Sequence, residues 1–564
     1  MQNPFRTRSA TDELGSLEPA LPVLPFYRQR RMNRWAKLAV YVGLAAACFL
    51  YGFSYARFAP FLMVPFAVPL ALLAILVIWA LPSGDYAPTS ALQPLYIAFF
   101  AALFIWPNYL AIGLPGLPWI TLLRLTGLPL LFTLLICLSV STQFRKHLLE
   151  VFQYDRPISR MLLGFALIAT LSVGYSVSVG SSASRYVVVV TNWFSIFFVS
   201  LVLFTRPGFA SRWMKLFLAM ACVVCAVGLY ESRIHHVVWS NHIPSILKIE
   251  DEAVLRALSG LSRAATGKYR VQGTYGTPLG LSEFLGLVAP FAVHLLLTAK
   301  SNGPRFFAAG YILVALYVVL ETDSRLGLIS SLLSMLLYLL FWAILQWRRN
   351  KGSIIAPAIV LAYPAIFCVG VAATIFIGRL RAKFWGNGAQ ASSDQSRIEQ
   401  WASGTPKILS HPFGHGLGQG GNVLNYVGPD GIQTIDSYFL SILLEYGIVG
   451  FILYYGMFAW GAWIGARAIA KRKLDDELQL LLPFSICLIN YIVIKSVFSQ
   501  DDNQPLAFML LAAVIALVRR ADMAQPEAET VAEQGRVSRS ARFRRPQLLP
   551  AASGLRRAIN PGRN

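Results

Sequence analysis

The chain has 564 residues, 56% of them hydrophobic and only 13% charged, with a net charge of +22 from 49 Lys+Arg against 27 Asp+Glu, and its mean hydropathy is +0.56. That balance excludes a string of soluble domains, and apolar runs that are continuous rather than alternating exclude a membrane barrel. What remains is an all-α integral membrane protein, in which each crossing takes about 20 apolar residues and the excess of cations reflects topology rather than a nucleic-acid surface.

Residues 1–35 are polar and end in YRQRRMNRWAK, where Arg28, Arg30, Arg31, Arg34 and Lys37 precede the first apolar run. A cleaved signal peptide has its charges at the extreme start and a short apolar core, so this arrangement predicts a cytoplasmic tail and a first anchor. The hydropathy pattern then predicts about 14 spans, at approximately 36–56, 59–81, 93–113, 118–140, 160–179, 186–204, 213–231, 277–298, 306–322, 326–346, 354–378, 437–464, 477–497 and 504–518. With the N-terminus inside, the loops TQFRKHLLEVFQYDRPISR, TRPGFASRWMK, AKSNGPR, QWRRNKG and ARAIAKRKLDDE fall on the cytoplasmic side, and all are basic. PSGDYAPTSAL falls there too without a cation. The opposite face receives two long loops, 232–276 and 379–436, the second expected to contain short helices. Residues 519–564, rich in arginine, read as a disordered cytoplasmic tail.

All six cysteines lie inside apolar runs, so the Cys222/Cys225 pair reads as lipid-depth packing rather than a redox motif. The chemistry concentrates in the outward loops. The first carries Arg256, Arg263, Lys268 and Arg270, and the second Arg379, Arg381, Lys383, Arg397 and Lys407. Leaving so many cations outside runs against the positive-inside tendency, and an anionic ligand explains it. Arginine binds phosphate through a planar fork that stays charged. The alternative is pairing with Asp394, Glu399 or lipid headgroups. The stretch HPFGHGLGQGG, with His415, Gly416 and Gly418, leaves the backbone free for positive φ and close approach to a ligand, or is a flexible loop. Glu283 and Glu445 lie just inside helices on the outer side, as sugar-hydroxyl ligands or as partners of a neighbouring arginine. Lys495, near the outer end of its span, is placed to snorkel.

Four segments together resemble the O-antigen ligases and Wzy-type O-antigen and exopolysaccharide polymerases. They are YRVQGTYGTPLGLSEFLGLVAPF at 269–291, with Arg270, Gly273 and Pro278; a T-x-S-R turn formed by Thr322, Ser324 and Arg325; an R-x-x-x-W followed by a proline- and glycine-rich element, formed by Arg397, Trp401, Pro412, Gly414, Gly416 and Gly418; and DSYFLSILLEYGIVG, with Asp436, Ser437, Leu440, Glu445 and Gly447. The likeness covers roughly residues 90–515. It implies a bacterial inner-membrane glycosyltransferase with its active site in the periplasm. The donor is an undecaprenyl-pyrophosphate-linked glycan, transferred with inversion to an acceptor glycan or lipid-linked glycan. The resemblance also implies no metal or other cofactor, and neither an HExxH nor an outward DxD pair occurs. Membrane lipids, a chain-length regulator and export machinery are the further partners implied.

Such chemistry requires cations facing the leaving pyrophosphate and a base for the acceptor proton. Arg270, Arg325 and Arg397 are the cations expected to face the pyrophosphate. At the base the chain departs from the ligases, which carry histidine where Asp436 stands. The ordinary pKa values of about 3.9 and 6.5 differ by roughly 3.5 kcal/mol of proton affinity. Burial, or a late proton transfer, is needed for Asp436 to serve. Helix capping is its alternative role, and His415 is the rival base. Asp followed by a small polar residue resembles the exopolysaccharide polymerase branch, which favours polymerisation. Ligation of a finished glycan is the second expectation. Flipping of a lipid-linked oligosaccharide, a different class, fits less well because polarity concentrates in two outward loops rather than in a central cavity.

Overall fold

The computed structural model describes residues 74–81, 87–113, 120–249, 269–352, 354–378, 391–428, 433–471 and 474–542, with isolated positions 35, 38, 42, 255, 258 and 381. Residues 1–34 of the expected N-terminal tail, most of the first two expected spans, Arg256, Arg263, Lys268, Arg379 and Lys383 lie outside the described residues.

The helices are α1 (Thr89–Ile105), α2 (Leu122–Val140), α3 (Thr142–Phe152), α4 (Arg156–Gly174), α5 (Val179–Val188), α6 (Ser195–Phe204), α7 (Phe209–Ile234), α8 (Pro278–Thr298), α9 (Asn302–Glu321), α10 (Arg325–Arg349), α11 (Ile355–Phe376), α12 (Ala391–Ser410), α13 (Gly420–Leu424), α14 (Tyr438–Lys471), α15 (Leu481–Lys495) and α16 (Gln504–Arg542). Helices α5 and α6 are one continuous rod joined by a π-turn, Val189–Phe194. Among the described residues, ten helices are long and apolar enough to cross a membrane, so the chain is a multi-pass helical membrane protein. Its described strands are two-residue pieces: β1 (Ala111–Ile112) pairs antiparallel with β2 (Ile120–Thr121) and β3 (Leu247–Lys248).

Local sequence sets where the helices start. Thr277 caps α8 by accepting from the Gly280 amide at 3.1 Å, with Pro278 in the first turn, where its missing N–H costs nothing. Asp155 caps α4 through the Ile158 amide at 3.0 Å. Between lipid-soluble helices close backbone approach does the packing, and α14 supplies it with the G-x-x-x-G pair Gly461 and Gly465, which press on Leu511 of α16 and Ser485 of α15. Helix α16 is the axle of the bundle, buried on every side from Leu506 to Ala516.

Beyond residue 518, where the sequence predicts a disordered tail, α16 continues to Arg542, and residues 543–564 lie outside the described residues. The segment beyond Val518 is rich in Ala, Glu, Gln and Arg, good helix formers, and these carry the hydrogen-bond ladder onward once the buried half has nucleated it. The second long loop contains α12 and α13, as expected.

Ion pairs mark the two ends of the bundle. At one end Glu477 accepts from Arg520 at 2.8 Å and from the amides of Gly208 and Ala210, and Lys300 meets Asp476 at 2.8 Å. The other end gathers the N-termini of α8, α10, α14 and α16 with the C-termini of α7, α9 and α15, tied by hydrogen bonds such as Asn503 to the Gly280 carbonyl and Ser437 to the Ser496 carbonyl. All the sequence-assigned site residues that are described lie toward this second end.

Candidate active site

The α9–α10 turn is built from its own short polar residues. Asp323 takes the left-handed region (φ 49°), which aspartate tolerates, and the Ser324 hydroxyl accepts from the Gly327 amide at 3.0 Å. Arg325 is thereby fixed as the first residue of α10. The segment entering α8 runs alongside: the Val271 amide donates to the Glu321 carbonyl at 3.1 Å, and Arg270 Nε to the Thr322 carbonyl at 2.8 Å. Beneath it Glu231, fully buried on α7, accepts from Tyr269 Oη at 2.7 Å and from the Gln272 and Gly273 amides at 2.9 and 2.7 Å. Gly273 has φ 58°, which lets the chain fold over that carboxylate. Arg270 and Arg325 therefore meet at one turn, Arg270 through the Thr322 carbonyl, while Glu231, which anchors the residues flanking Arg270, is absent from the sequence-based expectations.

Helix α12 crosses this end and presents Asp394, Arg397 and Gln400, spaced three apart on one face. Arg325 grips Asp394 with both terminal nitrogens, at 3.0 and 3.3 Å, and Arg397 reaches the same carboxylate at 3.2 Å. The alternative pairing with Asp394 thus occurs, but one carboxylate cannot neutralise two guanidinium groups. Asp394 remains 45% exposed there. Two turns further on, Gln400 Oε1 accepts the Asp436 amide at 2.8 Å. The helix is seated by Gly404 against Leu440 and by an apolar cluster of Ile408, Leu424, Leu440 and Leu444. Helix α14 begins at Tyr438, and the Ser437 carbonyl accepts from the Ser441 amide at 3.1 Å, so Asp436 sits one residue outside the cap position. Arg270, Arg325, Arg397 and Asp436 are brought to one region.

The glycine-rich segment lies elsewhere. The His415 amide donates to the Leu444 carbonyl at 2.8 Å and the Gly416 amide to the Glu445 carbonyl at 3.1 Å. Leu444 is eight residues into the chain from Asp436, roughly 12 Å along α14. The Glu445 carboxylate accepts from Ser441 Oγ at 3.0 Å and from the amides of Gly418 and Gly420. Gly414, Gly416 and Gly418 have φ of 86°, 111° and 74°; a Cβ on Gly416 would strike Ser176, and one on Gly418 would lie 3.2 Å from Arg185 Cγ. Arg185 in turn pairs with Asp501. These glycines are therefore needed for close packing on α14 and on the α4–α5 corner, and the loop's amides at 415, 416, 418 and 420 are occupied within the protein. The His415 ring stands 4.5 Å from that of His411. Burial holds the His415 pKa below the ordinary histidine value against the opposing Leu444 carbonyl, and positive charge on His411 and Lys407 lowers it further.

Glu283 is completely buried and paired with Lys495, also completely buried, at 2.9 Å; Lys495 further donates to the Gln500 carbonyl. Lys495 does not snorkel, contrary to the sequence reading, because Glu283 meets it inside and the Tyr438 ring covers it at 5.3 Å. Arg381 is exposed.

Residues 310–455 match the family model described as O-antigen ligase. The matched segment contains Arg325, Asp394, Arg397, Gln400, His415, Asp436 and Glu445, and leaves Arg270, Glu231 and Glu283 outside it. No curated protein matches the chain significantly. The chain thus carries an O-antigen ligase domain over residues 310–455, consistent with the O-antigen ligase and Wzy-type superfamily of membrane glycosyltransferase-like enzymes.

Proposed function

We propose that the protein is a polysaccharide polymerase that transfers glycan repeat units from an undecaprenyl-pyrophosphate carrier to a growing chain, at the periplasmic face of the inner membrane. The observation that carries this reading is the convergence of arginines: Arg325 and Arg397 meet on the half-exposed Asp394, beside the turn that holds Arg270 and the Gln400 that holds the Asp436 amide. Fork-shaped cations at an opening suit a pyrophosphate leaving group. The acceptor hydroxyl oxygen attacks the anomeric carbon from the face opposite the phosphate. The bond to the phosphate oxygen breaks with its electron pair, and Asp436 takes the hydroxyl proton. The basic loops at the Glu477–Arg520 end support a cytoplasmic placement for that end and an outward one for the arginine cluster.

A host lacking the protein is expected to accumulate single lipid-linked repeat units on the periplasmic leaflet. Wild-type protein restores polymer, and Asp436→Asn or Arg325→Ala at equal membrane levels does not. Accumulation of long lipid-linked polymer would assign ligation instead, and units trapped on the cytoplasmic leaflet would assign flipping.

A further inference from the structure

Gln400 is a side chain whose two ends face different tasks. Its Oε1 is engaged, holding the Asp436 amide at 2.8 Å. The residue is 1% exposed, yet among the described residues its Nε2 has no hydrogen-bond acceptor. One turn earlier on the same face of α12, Arg397 Nε is likewise buried without an acceptor, although the same guanidinium reaches Asp394 through Nη1. Burying an amide or guanidinium N–H unmatched is unfavourable, so each such donor calls for a partner, either water or a ligand. Two of them, adjacent on one helix face between the Arg325–Asp394 pair and Asp436, define where an oxygen-rich molecule would complete the set.

We infer that Gln400 is a substrate-contacting residue, donating Nε2 to an acceptor oxygen of the bound glycan while its Oε1 positions Asp436. This rests on the transferase reading above. The recognised chemistry is an oxygen acceptor one helical turn from Arg397, supplied either by a phosphoryl oxygen of the donor or by a hydroxyl of the acceptor. Through the two ends of one amide, the placement of Asp436 and the recognition of the sugar are coupled. Where that oxygen is a sugar hydroxyl, the residue discriminates between glycans that present it and those that do not, since a buried donor left unmatched penalises the wrong substrate.

The test is initial-rate transfer by the purified full-length protein in liposomes, with lipid-linked donor and acceptor glycan varied separately. Gln400→Glu keeps an oxygen for the Asp436 amide and loses the donor; Gln400→Met loses both, and Gln400→Ser replaces it if the methionine variant does not fold. The inference expects both variants to raise the KM of the same substrate tenfold or more. A rise for the donor glycan identifies the phosphoryl oxygen, and a rise for the acceptor identifies the hydroxyl. Unchanged KM values with a lower kcat would leave Gln400 a positioning residue only and overturn the inference, as would an effect confined to one variant. If the wild type transfers nothing, it is the reading of function that fails. The contact is then decided by thermal shift with the lipid-linked glycan: loss of the wild-type shift in both variants supports it, and an equal shift overturns it.

Discussion

At the residue scale, the buried pair of Glu283 and Lys495 shows how partner and burial set a residue's role. Both side chains are 0% exposed at 2.9 Å separation. The desolvation of two charges is offset only while both are present, so removing one leaves an uncompensated charge in a lipid-depth core. Glu283→Ala is expected to destabilise by about 3–5 kcal/mol, while Glu283→Met combined with Lys495→Met recovers most of that loss. Thermal unfolding of the detergent-solubilised protein measures both, and equal losses in the single and double variants would contradict the account. The sequence offers Glu283 as a sugar ligand because it lies just inside a helix. Its lysine is 212 positions away, and no local pattern reports a contact at that separation. Glu231, which holds the Arg270 segment, is hidden for the same reason. Arg325 is legible because its turn, Thr322 to Ser324, is written in consecutive residues. Gln400 becomes legible once residues 391–410 are read as helix, since it falls three residues after Arg397.

At the element scale, the helices are written plainly in the sequence and the glycine-rich loop is not. Span positions follow from continuous apolar runs, so α8, expected at 277–298, is found at Pro278–Thr298. The loop is ambiguous because glycine serves tight packing and ligand approach equally, and only the partners decide. Here Gly416 fits against Ser176, and the Gly418 and Gly420 amides bind the Glu445 carboxylate. The His415 ring is held against the Leu444 carbonyl with Nδ1 at 3.2 Å. Burial keeps its folded pKa below the ordinary value, so the folded state binds fewer protons than the unfolded chain there. The stability this contributes is present above about pH 6.5, the ordinary histidine value, and is lost as pH falls through the lower folded value. His411 and Lys407, the cations nearby, add to the cost of protonating it. Thermal unfolding from pH 8 to pH 5 should show an acid-side decline that shrinks in His415→Gln; an unchanged decline would remove His415 from the account.

At the scale of the whole molecule, the bundle separates two kinds of ionic structure. One end has basic loops and pairs such as Glu477 with Arg520 and Lys300 with Asp476. The other collects the helix ends named above around a cluster in which two arginines share one carboxylate. The axial helix α16 and the small-residue seam of α14 hold these junctions in register, so that segments far apart in the chain (around Arg270, Arg325, Arg397 and Asp436) meet at one place. In the function proposed above, this meeting place transfers glycan with Arg325 facing the leaving pyrophosphate and Asp436 taking the proton. Single-turnover transfer by purified protein in liposomes, from an undecaprenyl-pyrophosphate glycan to its acceptor, tests it most directly. The account predicts a loss of about 100-fold or more in rate for Arg325→Ala and for Asp436→Asn, at unchanged fold and protein amount, the size that follows removal of one stabiliser of developing charge or of a general base. Rates within twofold of wild type for both variants would contradict it.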